Sequence, residues 1–301
     1  MPDFHDIATE VEQRSSVEPC DFVRAKYVRK LYELTKRNVI LYYSAWQQKP
    51  LVKNLGIEDF DMNGFMSVLH GLGSHIGLDL ILHTPGGDLA ATEAIGTYLK
   101  KHFSNDIRVI VPHMAMSGGT LLAFSGRQIV MGIHSSLGPI DPIINGLPAH
   151  GICEEFNEAL ESVKKNPATI EVWKHIIAKY PPSFIGDCQK AVDWSMEIAS
   201  RWLADGMFAD IIDEAQRDER VRTIVDSFGD HGTTKSHSRH YTSDQCIDLG
   251  LNILRLEEDN ELQDAVLSVH HACHYTLGVT SVVKMIENHM GKTHAIVMQP
   301  N

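Results

Sequence analysis

Two short glycine turns, separated by about one helix and one strand, constrain the fold of this chain most strongly. Gly86-Gly87 follows the apolar run 78–82, and Ser117-Gly118-Gly119 follows the run 107–112. Each turn opens a segment with helical spacing, so each marks a passage from a strand to a helix. Because strand–helix–strand units place successive strand ends on one edge of a sheet, we expect the two turns to lie close together.

The alternation of apolar runs with helical segments predicts an α/β fold with a mainly parallel central sheet and flanking helices. Strand candidates occur at 38–43, 78–83, 108–111, 128–133 and 252–256. Helical spacing or turn residues indicate helices over 5–37 with a break at Pro19, over 65–72, over 154–226 with breaks at Pro167 and 180–182, and over most of 261–289, and a polar loop over 228–235. We expect three parts: a helical N-terminal extension (1–37), a core (38–256) and a helical C-terminal extension (257–301).

Composition excludes several classes of protein. With 301 residues, 43% of them hydrophobic, the chain can bury a substantial core. The net charge of −12 argues against nucleic acid as the main partner, since nothing concentrates positive charge. No apolar stretch approaches the length of a transmembrane helix, and the acidic N-terminus lacks a secretory h-region. Five scattered cysteines form no disulfide pattern, so we expect a cytoplasmic protein.

The two turns carry residues suited to acyl transfer. The Ser117 hydroxyl lies where a strand turns into a helix, between small neighbours that let a substrate approach. The N–H of Gly118 and an N–H from Gly86-Gly87 can point to one place and bind the oxyanion that forms on a carbonyl under attack. A single Gly-Gly pair is usually only a tight turn, but two such pairs at corresponding strand ends favour a catalytic site.

This pair of turns resembles those of the ClpP/crotonase superfamily, and more narrowly the serine dehydrogenase proteinase family, which is also related to signal peptide peptidase A. The similar stretches, in order, are 78–95, 111–120, 135–142, 238–251, 262–272 and 284–291. The resemblance implies a ClpP/crotonase-like fold and peptide-bond hydrolysis without a built-in ATPase. It also implies a nucleophile at Ser117 and an oxyanion hole at Gly86, Gly87 and Gly118, with peptides or unfolded proteins as substrates and assembly into homo-oligomers.

The general base has two candidates. His134 takes the position of the ClpP histidine, and Asp141 can orient its imidazole. Alternatively, a desolvated lysine such as Lys179 acts as the base, as the resemblance to signal peptide peptidase A implies. Ser238 falls about where ClpP has its aspartate, so the usual third member of the triad is missing. His237, beside it, is interpreted as a polar loop residue or a replacement polar partner.

Two other functions remain open from the sequence: a crotonase-like acyl-CoA hydrolase or isomerase, and a catalytically silent oligomeric scaffold. No basic cluster is placed to bind the phosphates of coenzyme A. His270 and His274 have a spacing that can bind zinc on a helix, but no HExxH glutamate accompanies them. We therefore expect these histidines to pack against the core, and we expect no metal and no cofactor.

Overall fold

A computed structural model describes residues 3–15 and 18–298 of the chain. The helices are α1 (Phe4–Glu12), α2 (Pro19–Thr35), α3 (Asp61–Leu69), α4 (Leu89–His102), α5 (Gly118–Phe124), α6 (Ala149–Lys165), α7 (Ile170–Ile177), α8 (Phe184–Trp202), α9 (Glu214–Gly229), α10 (His231–Thr234), α11 (Ser243–Asp248) and α12 (Asn260–Val279). Short 3-10 turns span Pro167–Thr169 and Leu256–Glu258, and a π turn spans Leu203–Met207.

The strands are β1 (Asn38–Ser44), β2 (Leu78–His83), β3 (Ile107–Val111), β4 (Met114–Ala115), β5 (Gln128–Met131), β6 (Ser136–Leu137), β7 (Ile143–Ile144), β8 (Leu147–Pro148), β9 (Tyr241–Thr242), β10 (Ile253–Arg255), β11 (Val282–Asn288) and β12 (Thr293–Val297). Within the described ranges, seven of them form the main sheet in the order β10-β5-β3-β2-β1-β11-β12. The strands from β10 to β1 are parallel, whereas β11 and β12 pair antiparallel. The expectation of an α/β fold with a mainly parallel sheet is therefore confirmed.

Helices cover both faces of this sheet because the strands are apolar on both sides, as buried parallel strands must be. On β1, Val39, Leu41 and Tyr43 pack with the apolar faces of α1, α2 and α12. The alternate residues Ile40 and Tyr42 belong to the opposite core, which includes side chains of α3, α4, α5, α8 and α9. The N-terminal helices and the last helix thus share one layer of the fold.

The C-terminal region differs from the helix expected over most of 261–289. Helix α12 ends at Val279, and β11 then pairs antiparallel with β1, placing Lys284 opposite Ser44. The expectation of helix beyond Val279 is wrong, because the buried polar side chains of β11 hide the apolar pattern by which buried strands are identified. The loop expected over 228–235 is also largely helical, since it contains the end of α9 and all of α10. The division at residues 37 and 256 stays a prediction.

A small satellite core lies beside the carboxyl edge of the parallel strands. The β7–β8 hairpin leads into α6, and α6 packs against α8 around a cluster formed by Ala149, Ile152, Phe184, Cys188 and Val192. This layer places one face of α8 over the two glycine turns. None of the helices that the structure describes is long and apolar enough to cross a membrane.

Candidate active site

Main-chain hydrogen bonds join the two glycine turns. The Thr84 N–H donates to the Met114 carbonyl at 3.2 Å, and the Met116 N–H donates to the Thr84 carbonyl at 3.0 Å. Thr84 follows β2 directly, and Met116 follows β4. These two hydrogen bonds therefore hold the start of one turn beside the start of the other, as the parallel strand order predicts.

Glycine is required where the two turns touch. Gly86 has a φ of +93°, and a Cβ on it would lie 2.6 Å from the Ser117 Cβ and 2.8 Å from the Gly118 nitrogen. A Cβ on Gly118 would in turn lie 3.4 Å from the Gly87 nitrogen. The distances at Gly86 leave no space for a side chain, so the backbone of one turn packs directly against the other, and the distance at Gly118 is an ordinary van der Waals contact.

Ser117 occupies a strained backbone conformation. Its φ is 52° and its ψ is −118°, a region that residues with a Cβ seldom adopt. The Gly119 N–H donates to the Met116 carbonyl at 2.8 Å, so Ser117 is the first central residue of a tight turn that opens α5. The strain, about 1–3 kcal/mol for such outliers, is often found at functional sites, where a side chain must be presented in one direction.

Two backbone amides near Ser117 are available to an anion. Among the residues that the structure describes, no acceptor is found for the N–H of Gly87 or of Gly118. Gly118 is also the first residue of α5, where the helix dipole favours negative charge. These amides occupy the region that the sequence assigns to an oxyanion hole.

His237 and Asp141 form a hydrogen-bonded pair at the same site. The His237 Nδ1 lies 2.8 Å from the Asp141 Oδ1, and the Asp141 side chain is buried. Asp141 follows Ile140, whose N–H donates to the Phe228 carbonyl at 2.9 Å and whose carbonyl accepts from the Ser195 hydroxyl at 2.7 Å. Because Nδ1 faces the carboxylate, Nε2 of the His237 ring is left to act on a group in the cleft.

A buried threonine connects the nucleophile turn to the segment that carries Asp141. The Thr120 hydroxyl accepts a hydrogen bond from the Gly138 N–H at 2.9 Å and lies 2.9 Å from the Ala115 carbonyl oxygen. Gly138 is three residues before Asp141. Hydrogen bonds of Thr120 therefore connect the strained turn at Ser117 to the segment that carries the buried Asp141 carboxylate.

One cavity of about 370 Å³ brings these groups together. Ser117, Gly87, Gly118 and His237 all line it. Apolar side chains form much of the remaining wall, namely Leu89, Leu121, Ile140, Ile143, Ile144 and Trp194. A serine hydroxyl, two amide donors and an imidazole paired with a carboxylate are the groups that acyl transfer requires.

The two expected bases lie elsewhere. The exposed His134 follows β5, in a turn where the neighbouring Ile133 N–H donates to Glu257 at 2.9 Å. Lys179 is also exposed and lines a different cavity, of about 410 Å³, between α7 and α8. The described wall of the Ser117 cavity includes neither residue. The structure thus brings Ser117, the glycines and Asp141 together, but not His134 or Lys179.

The sequence gives only a weak signal for His237. It lies in a polar segment between α10 and β9, without the apolar pattern that marks a strand end. The available clue was the position of His237, five residues before the capping box formed by Thr242 and Gln245. A capped helix start shows where the preceding loop returns to the core, and this loop carries His237. The sequence predicts that Asp141 orients His134, whereas the structure pairs Asp141 with His237 of the later segment.

A second group of histidines, in which His83 and His270 are buried and His113 is half-buried, lies on the other face of the sheet. The ring centroids of His83, His113 and His270 lie 5.4 to 5.9 Å apart, and the Tyr43 hydroxyl lies 3.2 Å from the His270 Nδ1. Burial lowers the pKa of His83 to about 3, and burial also lowers the pKa of His270 well below its usual range. In the described part of the chain, no group of three or more ligating side chains is arranged to hold a metal ion.

Comparison with known proteins gives relatives of unknown activity. Two uncharacterized proteins of Methanocaldococcus jannaschii are similar to parts of this chain. One is 38% identical over 114 residues, which is 38% of this chain and 38% of the relative. The other is 41% identical over 109 residues, which is 36% of this chain and 37% of the relative. The matched part thus spans little more than a third of either relative.

A protein-family model matches residues 22–191 and describes a ClpP-like SDH-type serine proteinase. The matched part contains both glycine turns, Ser117 and Asp141, and it ends before His237. It covers more than half of the chain, and the mainly parallel sheet flanked by helices agrees with a ClpP-like fold. The chain belongs to the family of ClpP-like, SDH-type serine proteinases.

Proposed function

We propose that this protein is a serine peptidase in which Ser117, His237 and Asp141 act as a catalytic triad. The observation that carries the proposal is the shared cavity: Ser117 and His237 both line it, and His237 is hydrogen-bonded to a buried carboxylate. A serine hydroxyl is a weak nucleophile unless a positioned base removes its proton, so this pairing is the feature that distinguishes a catalytic serine from a turn residue.

The reaction follows from the geometry. His237 Nε2 takes the proton of the Ser117 hydroxyl as Oγ attacks the carbonyl carbon of a peptide bond. The N–H groups of Gly87 and Gly118 bind the oxyanion, and the protonated imidazole then gives its proton to the leaving amine. Water, activated by the same imidazole, hydrolyses the acyl-enzyme and restores the hydroxyl. Asp141 holds the His237 ring in the required tautomer throughout.

This assignment exchanges the positions that the ClpP resemblance implies. The acid, Asp141, comes from the segment after β6, and the base, His237, comes from the segment before β9. Only the spatial arrangement of the three groups matters for the chemistry, and the same triad is built from different chain orders in unrelated enzymes. The missing aspartate near Ser238 is therefore compatible with a complete triad.

The cavity supports a peptide as the substrate. Its apolar wall fits the side chain of a residue next to the bond that is cleaved, and the described residues that line it include no lysine or arginine for the phosphates of coenzyme A. Assembly of the protein into a homo-oligomer and a cytoplasmic location stay predictions from the sequence and the resemblance.

The test is labelling by a fluorophosphonate probe together with hydrolysis of fluorogenic peptides and casein. We expect the wild-type protein to be labelled on Ser117 and to hydrolyse substrate, and Ser117→Ala to lose both properties. The matched control is Ser125→Ala, which removes a buried serine hydroxyl at the end of α5 that donates to the Leu122 carbonyl.

Three results would decide against the proposal. If the Ser117→Ala variant is labelled as strongly as the wild type, Ser117 is not the nucleophile. Retention of an acyl-coenzyme A without labelling would favour an acyl-CoA enzyme. Absence of both labelling and hydrolysis would favour a scaffold.

A further inference from the structure

A buried ion pair lies directly behind the Gly86-Gly87 turn. The Lys284 side chain, on β11, is 1% exposed, and its Nζ lies 2.9 Å and 3.0 Å from the two carboxylate oxygens of Asp61, which is fully buried. The Tyr42 hydroxyl donates to Asp61 at 2.8 Å, and the Glu58 N–H donates to it at 3.0 Å. None of these residues lines the Ser117 cavity. The triad chemistry does not explain why a lysine is buried here.

The ion pair is connected to the glycine turn through the backbone of residues 56 and 57. Lys284 Nζ donates to the Gly56 carbonyl at 2.8 Å. The Ile57 N–H belongs to the same peptide group as that carbonyl, and it donates to the Gly86 carbonyl at 2.7 Å. A Cβ on Gly56 would lie 2.8 Å from the Gly86 carbonyl oxygen, so the two backbones are in close contact.

The orientation of the next amide follows from peptide geometry. In a trans peptide the C=O and N–H point in opposite directions. The Gly86 carbonyl points towards Ile57, so the N–H of Gly87, in the same peptide group, points away from Ile57. Gly87 and Gly118 both line the Ser117 cavity, and a Cβ on Gly118 would be 3.4 Å from the Gly87 nitrogen. The Ile57 hydrogen bond therefore sets the direction of the Gly87 donor.

We infer that Lys284 is a positioning residue that orients and polarises the Gly87 amide through two successive peptide groups. The inference rests on the proposed function, in which that amide binds the oxyanion. The chain of donors runs from Lys284 Nζ through the Gly56–Ile57 peptide and the Gly86–Gly87 peptide to the substrate oxygen. Hydrogen bonds in such a chain strengthen one another, and a cation at its far end makes the terminal N–H a stronger donor. Asp61 holds the ammonium in place.

The matched comparison uses two buried ion pairs on β11. The test variant Lys284→Met/Asp61→Asn removes the pair behind the turn without leaving one charge buried alone. The control variant Arg24→Met/Glu287→Gln removes the second pair, in which Arg24 Nε lies 2.5 Å from a Glu287 carboxylate oxygen. The other contacts of Arg24 are Asp21 on α2 and Thr276 on α12, and none of these residues lines the Ser117 cavity.

Kinetics give the first readout. Removing an oxyanion donor costs about 100- to 1,000-fold in kcat; here the donor is only weakened, so we expect a loss of roughly tenfold with KM within about twofold. The control variant should lose stability but keep kcat within about twofold of the wild type. A test variant whose kcat matches that of the control overturns the inference.

The sequence allows a second readout that does not depend on hydrolysis. Gly86-Gly87 and Gly118-Gly119 are the only Gly-Gly pairs in the chain. After labelling of glycine with ¹³C at the carbonyl and ¹⁵N, an HNCO spectrum therefore shows the amides of Gly87 and Gly119 alone. We expect the Gly87 proton to move upfield in the test variant, while Gly119, bonded to the Met116 carbonyl, stays in place as an internal reference.

A Gly87 proton that does not move relative to Gly119 also overturns the inference. If the double variant does not fold, Lys284→Gln/Asp61→Asn is the second variant, because it keeps an N–H donor at position 284 and again leaves no charge buried alone. This variant should move the Gly87 proton in the same direction by a smaller amount. If the Gly87 proton does not move, the inference is again overturned. If the wild type hydrolyses no peptide, the proposed function fails, and the Gly87 shift alone decides the role of Lys284.

Discussion

His237 and His83 both lie near the glycine turns, and their surroundings differ in every respect that matters for catalysis. His237 is part-exposed, lines the Ser117 cavity and is bound to the Asp141 carboxylate. His83 is fully buried, and no hydrogen bond is found for either of its ring nitrogens among the described residues. The His83 ring contacts other aromatic rings, including those of Tyr43 and His113.

The difference explains why His237, and not His83, is proposed as the base. A carboxylate favours the imidazolium that forms when the ring takes a proton, and access lets the ring reach the substrate. Burial without a carboxylate disfavours that charge and keeps the ring neutral. Proximity to a Gly-Gly turn in the sequence therefore indicates little about the role of a histidine, and the predictions below test this contrast.

The largest effect is expected for His237→Gln. Loss of the base should lower kcat by about a million-fold, because no group then takes the proton of the Ser117 hydroxyl as its oxygen attacks the carbonyl carbon. The matched control is His240→Gln, in the same segment, whose ring is bound to the Ser136 hydroxyl at 2.9 Å. Steady-state hydrolysis of a fluorogenic peptide provides the measurement, and equal losses in both variants would contradict the assignment.

A somewhat smaller loss is expected for Asp141→Asn. The amide of asparagine can donate to Nδ1 and stabilise the wrong tautomer of His237, so kcat should fall by about 10,000-fold with KM little changed. Asp79→Asn is the control: Asp79 is equally buried but is bound to Arg37 and Arg108 near the opposite end of β2. It should lower the free energy of unfolding and leave kcat near that of the wild type.

The buried histidines predict a dependence of stability on pH. Because the pKa of His83 is lowered from 6.5 to about 3, unfolded chains bind a proton below pH 6.5 that folded chains do not. Stability is thus fully present above that pH and is lost as the pH falls towards 3. Between pH 7.5 and pH 5, this one group should lower the free energy of unfolding by about 2 kcal/mol.

Urea denaturation at the two pH values measures this loss. The lowered pKa of His270 acts in the same direction, so the total dependence should exceed that of one histidine. His83→Phe should remove part of it, and His75→Phe, at an exposed position, is the control. A free energy of unfolding that rises on going from pH 7.5 to pH 5 would contradict the burial of neutral rings.

The smallest effects are expected for the two bases that the sequence suggests. His134→Ala and Lys179→Ala change exposed side chains outside the Ser117 cavity, so each should keep kcat within about twofold of the wild type. Progress curves with the same peptide provide the test. A loss of more than about tenfold in either variant would restore that residue as the base and remove the contrast between His237 and the other histidines.

Local sequence patterns are enough to predict the part of the site that contains Ser117 and the glycine turns. Ser117 and the glycines follow apolar strands directly, and parallel strand order is enough to bring their turns together. The same rule predicts the central sheet. Each strand and each turn is identified by residues within about ten positions of one another, where periodicity and turn chemistry act, and the rule of parallel order then places them side by side.

The pairing of His237 with Asp141 depends on long-range packing, which local sequence patterns do not encode. His237 reaches Asp141 across 96 positions in the chain, from a polar segment whose path is set by α9 and β9. Lys284 is still harder to anticipate, since a lysine in a strand is normally taken as exposed. Both become visible only when the distant partners, Asp141 and Asp61, are placed in space.

The most direct measurement is a crystal structure of the protein after reaction with a peptidyl phosphonate. The account predicts a covalent bond to Ser117 Oγ, a phosphoryl oxygen about 2.7–3.1 Å from the amide nitrogens of Gly87 and Gly118, and His237 Nε2 within hydrogen-bond distance of the adduct. An adduct whose phosphoryl oxygen points away from both amides, or one approached by His134 or a lysine in place of His237, would contradict it.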